Sequence, residues 1–135
     1  MYNIFYFNII KVEKDNKTVE RVELYNNDYK KHKNYKLDNG ILKGLLDNKN
    51  NLFVGWDNKE QFNSLKCKAP YLDYCKAYSK IILNNIDDCR SLTELKQTYN
   101  INNVSDVKAM QFIDNEEKII DKIIIMKFMM NNKKS

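Results

Sequence analysis

Between Tyr71 and Ile86 the chain reads YLDYCKAYSKIILNNI, and its polar residues Asp73, Lys76, Lys80 and Asn84 recur at three- and four-residue intervals. They define a narrow polar stripe. Tyr71, Tyr74, Cys75, Tyr78, Ile81, Ile82 and Ile86 fill the opposite side, with Leu72 and Leu83 on its flanks. That period predicts an amphipathic helix over 71–86 with more than a third of its circumference buried. Pro70 stands just before it, where a fixed φ and a missing N–H cost little. Burying seven such side chains is worth roughly 10–20 kcal/mol before chain entropy is subtracted. On this reading, aspartate at Ile82 unfolds the protein by placing an unpaired charge in the core.

Residues 2–25 read as a β-hairpin. The turn is Lys14-Asp15-Asn16-Lys17, whose two central residues tolerate positive φ best after glycine. Centring the turn there sets Val12 opposite Val19, Lys11 opposite Glu20, Ile9 opposite Val22 and Phe7 opposite Leu24. One face then carries Phe5, Phe7, Ile9, Val22 and Leu24, a continuous apolar surface, and a one-residue slip would scatter it. The other face, with Tyr6, Asn8, Ile10, Arg21 and Glu23, is expected to be half exposed.

The polar stretch from Asn26 to Gly40, NNDYKKHKNYKLDNG, reads as a surface loop. Ile41 to Leu46 can form one helical turn, weakened by Gly44. Leu52 to Trp56 predicts a buried third strand. Asp57 with Glu60, and Ser91 with Glu94, are spaced as capping boxes for two short helices, the first burying Phe62 and Leu65, the second Leu92, Leu95 and Tyr99. In the last third, VKAMQFI (107–113), DNEE and KIIDKIIIMKFMM (118–130) suggest a second hairpin, because β-branched runs fit a pleated surface. A helix from Ser105 onward is the rival, but Lys127 interrupts its apolar side. The expected fold is α+β: one domain over 1–135, with a mostly antiparallel sheet from the N- and C-terminal hairpins and a central strand. The 71–86 helix and the short helices cover it.

At 135 residues, with 43% hydrophobic and 30% charged residues, the chain is long and apolar enough for one core without staples. The formal charge of +5 is almost wholly lysine, and abundant asparagine and isoleucine match the coding of an A/T-rich genome. Cys67, Cys75 and Cys89 match no zinc-site or disulfide spacing, so Cys75 is expected as a small core residue in a reducing interior. MYNIFYFNIIK lacks a basic n-region and a cleavage site, and 119–130 is too short and too charged to span a bilayer. A cytoplasmic location follows, with no membrane partner.

Chemistry is sparse. His32 is the only histidine and lies among lysines, and the three glycines make no phosphate-cradling loop. No catalytic residues, cofactor or metal site are expected. Nine tyrosines exceed what one small core comfortably hides, and Tyr6, Tyr25, Tyr29 and Tyr35 cluster in the N-terminal third as a docking surface. An exposed hairpin edge could also pair with its copy in a homodimer. The leading expectation is a non-enzymatic protein-binding module, an inhibitor or accessory factor masking a protein or ribonucleoprotein. A phage or mobile-element antagonist of a host defence complex, or an immunity-type protein, would fit it. One alternative is RNA or single-stranded DNA binding through Lys30, Lys31, His32, Lys33 and Lys36 with their interleaved tyrosines. Another is a small metal-dependent nuclease using Asp106 or Asp114.

Overall fold

The computed structural model describes residues 2–26, 28 and 30–125, and its fold is α+β, 39% helical and 30% strand. Five strands, β1 (Asn3–Lys14), β2 (Lys17–Asn26), β3 (Lys31–Lys36), β4 (Asn51–Gly55) and β5 (Tyr71–Asp73), form a mixed sheet in the order β3-β2-β1-β4-β5. The antiparallel pairings β1–β2 and β2–β3 are the long ones; β1–β4 and β4–β5 are short and parallel. The helices are α1 (Gly40–Leu46), α2 (Lys59–Ser64), α3 (Tyr74–Ile81), α4 (Leu92–Thr98) and α5 (Asp106–Glu117), with a further helical run, α6, over 119–125.

The hairpin register is the one the apolar pattern demands: Phe7 faces Leu24, Ile9 faces Val22, Lys11 faces Glu20 and Val12 faces Val19. Asp15 and Asn16 both take positive φ, 53° and 63°, which gives the turn the twist of the strands it joins. Both sheet faces are covered, however. Phe7, Val22, Leu24 and Phe53 pack under Leu42 and Leu46 of α1 and Phe62 of α2. Tyr6, Leu52 and Val54, on the reverse face, pack under α3 to α6 through Tyr74, Tyr78, Leu95, Val107, Met110, Ile113, Ile119 and Ile120. The face expected to be half exposed therefore carries the larger core.

The main helix is shorter than its period suggests. Tyr71–Asp73 is spent on the edge strand β5, and Asp73 then caps α3 by accepting from the Cys75 N–H at 3.1 Å. Tyr74, Cys75, Ala77 and Tyr78 are buried, while Ile81 and Ile82, at the helix end, are only partly buried against the same cluster. Ser91 caps α4 as expected, its Oγ accepting from the Glu94 N–H at 3.2 Å. The Asp57–Glu60 box does not form: Asp57 has φ 53° outside the helix, and Asn58 occupies the cap position. Gly55 leaves room for the Asn58 and Tyr71 side chains, since a Cβ there would have to displace Asn58 Oδ1 and the Tyr71 hydroxyl.

The C-terminal hairpin is replaced by helix. Ser105 caps α5, and Val107, Met110 and Ile113 form its buried stripe. Lys118 then adopts left-handed φ 55° and resets the helical phase before Ile119 and Ile120 turn inward. A single continuous helix gives no clean stripe because there are two helices with a break between them. Tertiary burial of Ile119 and Ile120 outweighs their β propensity. The part of the expected strand beyond residue 125 lies outside the described residues.

Candidate docking surface

The first unusual feature is an arm. β4 pairs with β1 only over Asn3–Tyr6, and β3 pairs with β2 only over Arg21–Asn26, so the hairpin runs on alone beyond both neighbours. Residues 11–20 are all exposed. Val12 and Val19 face each other on the arm, each 38% exposed, and Leu37, at 41%, lines the same open cleft of about 620 Å³. Lys14, Arg21, Lys36 and Asp38 rim that cleft. A cross-strand valine pair contributes only about 0.2–1 kcal/mol, and a two-stranded hairpin is marginal by itself in water. The arm adds little to the core it projects from.

The second feature is the stretch expected as a loop, which is the edge strand β3. Its sequence, KHKNYK, has no apolar alternation to announce a strand. Backbone pairing with β2 makes it one, and lysines are the residues that keep such an edge soluble. Its side chains alternate between the two faces. Lys31, Lys33 and Tyr35 stand opposite Asn26, Leu24 and Val22 and line a groove of about 250 Å³ whose apolar walls are Phe5, Leu24, Ile41 and Leu45. On the reverse face His32 Nε2 lies 3.2 Å from Glu23 Oε2, and Arg21 Nε donates to Asn34 Oδ1 at 2.8 Å.

The four tyrosines expected at a docking surface therefore separate. Tyr6 is 3% exposed and its hydroxyl donates to Asp114 Oδ2, so it is a core residue and not a contact residue. Tyr25 is half-buried with its ring 6.4 Å from that of His32, and Tyr35 is half-buried on the groove. Tyr29 lies outside the described residues. Of the basic set, Lys31 and Lys33 face the groove, whereas His32 and Lys36 take the other side. Lys30 is exposed in the turn before β3, with φ 50°. They form no single phosphate-tracking row.

The two aspartates weighed for nuclease chemistry have structural work. Asp106 accepts from Asn8 Nδ2 at 3.3 Å and pairs with Lys96. Asp114 accepts from the Tyr74 hydroxyl at 2.9 Å and the Ile120 N–H at 3.0 Å as well as from Tyr6. Nearby, the Tyr78 and Tyr99 hydroxyls lie 3.0 Å apart, and Tyr99 donates to Glu117 Oε1 at 2.7 Å. Burial, then the carboxylates beside them, hold the phenols of Tyr6 and Tyr74 far above the usual tyrosine range; Tyr99 moves the same way. Among the described residues no three His, Cys, Asp or Glu side chains are grouped to hold a metal.

This tyrosine–carboxylate network had no sequence signal, because its members come from β1, α3, the C-cap of α4 and α5. Cys75 and Cys89 are also joined, in a disulfide with a Cα–Cα distance of 5.7 Å, leaving Cys67 free. Cys75 is thus a crosslink as well as a core residue, and the argument for a reducing interior loses its premise. No helix among the described residues is long and apolar enough to cross a membrane. Comparison with protein families, curated proteins and solved structures found no match to any of the three.

Proposed function

We propose that the protein is a non-enzymatic binding module that masks a surface of a protein or ribonucleoprotein partner, with the projecting arm as its principal contact. The observation that carries this reading is the run 11–20, a hairpin of defined register that belongs to neither core cluster yet turns Val12 and Val19 outward beside Leu37. Exposed apolar residues rimmed by charge are what a contact surface needs, because the partner desolvates the centre while the rim fixes register. A pre-ordered hairpin also loses less chain entropy on binding than a loop would.

Inhibition or accessory action fits this reading, because a domain of 16.1 kDa seated by an arm can act by occlusion. An antagonist of a defence complex carried by a phage or mobile element is the setting this reading favours. Direct RNA or single-stranded DNA binding is the second reading, supported by the lysines of residues 30–36.

Affinity capture from lysate of the native cell, with and without nuclease, separates the two. A stoichiometric protein partner that survives nuclease supports the first reading. Recovery of nucleic acid alone, in a form that nuclease removes, contradicts it.

A further inference from the structure

We propose that the free edge of β3 takes an extended acidic segment of the partner as a sixth strand, with an apolar side chain of that segment seated in the groove beside it. This rests on the partner-binding reading and adds the chemistry of what is bound.

β3 ends the strand order, so among the described residues one side of its backbone faces no other strand. Such an edge is a template for strand addition, and affinity then comes from main-chain hydrogen bonds while alternate side chains give specificity. The side chains select the occupant. β3 carries Lys31, Lys33 and Lys36 and no acidic residue, and its only neighbouring carboxylate within the pair, Glu23, is engaged by His32. A second copy of the same edge would set lysines beside lysines, and like charges directly opposite are destabilising. Edge-to-edge homodimerisation is therefore disfavoured, and a strand with glutamate or aspartate at alternate positions is favoured.

The groove supplies the other requirement. Ile41, 69% exposed, and Leu45 form its helical wall, Phe5 and Leu24 its floor, and Lys31 and Lys33 stand at its edge-strand side. An open edge strand beside a helix with an apolar floor between them suits an extended peptide better than a nucleic acid. Bases would need exposed aromatic faces along the row of lysines, and among the described residues the rings at this groove, Phe5 and Tyr35, are both half-buried.

The test uses amide spectra and amide exchange of the intact protein with three probes: an eight-residue capped peptide alternating glutamate and valine, its lysine–valine counterpart, and an oligouridylate. The glutamate peptide is expected to shift the amide signals of Lys31–Lys36 and slow their exchange at least about fivefold. Raising salt from low to high weakens this effect, and Lys31→Glu/Lys33→Glu abolishes it with an unchanged melting curve. No response in β3, a response confined to the arm, or a stronger response to oligouridylate overturns the proposal. Capture of the cellular partner that is lost in Val12→Asp/Val19→Asp but intact in Lys31→Glu/Lys33→Glu also overturns it, while leaving the binding-module reading in place.

Discussion

The Tyr74 hydroxyl donates to Asp114 Oδ1 at 2.9 Å, which ties the first residue of α3 to the last turn of α5. The same carboxylate oxygen accepts from the Ile120 N–H, so one side chain also anchors the start of α6. Asp114→Ala leaves two buried phenols and a backbone donor without their protein acceptor at a partly buried site. We expect it to cost about 2–4 kcal/mol in urea unfolding, and Asp114→Asn distinctly less because it keeps an acceptor oxygen. Equal stability for Asp114→Ala and the unsubstituted protein would remove this network from the account.

The buried phenols set an alkaline limit. Tyr6 and Tyr74 stay protonated in the fold well above the pH at which they ionise in the unfolded chain. Their folded values are raised, so the neutral form is the native one. Stability is complete below about pH 10 and falls as pH rises above it. Each contributes a slope of at most about 1.4 kcal/mol per pH unit in that window. Urea midpoints at pH 9, 10 and 11 should decline, and Tyr74→Phe should flatten the decline.

The Cys75–Cys89 disulfide closes a loop of sequence separation 14 around the end of α3. A crosslink over that length is worth about 3 kcal/mol in the chain-entropy account, or about 10 °C in melting temperature for a domain of this size. Reduction, or Cys89→Ser, should lower the melting temperature by that order. Alkylation after reduction should label three cysteines in the unfolded protein where the oxidised form gives one.

What the residues disclose, and what they hide, follows from the range of the interactions. The hairpin register was legible because Asp15-Asn16 and the facing apolar pairs are local and agree with each other. Ser91 and its helix were legible for the same reason. β3 was not, because KHKNYK is held as a strand by pairing with β2, and an edge needs no apolar face. α5 and α6 were hidden by the phase break at Lys118, which no single period can fit. The fate of the tyrosines was not legible, because burial is set by distant partners. Tyr6 went to the core, and the exposed apolar positions on or beside the arm are Val12, Val19 and Leu37.

The arm carries the functional account, and it can be altered without touching the core. Val12→Asp/Val19→Asp changes side chains that are exposed and outside both clusters; losing the valine pair and setting two aspartates opposite each other should cost about 1 kcal/mol, confined to the arm, with both cores intact. The decisive measurement is nuclease-treated affinity capture from the native cell, run side by side with the unsubstituted protein and this arm variant. The account predicts one stoichiometric protein partner with the first and at least a tenfold loss of it with the second, about 1.4 kcal/mol or more of binding energy. Equal recovery with both, from a variant that melts normally, would contradict it.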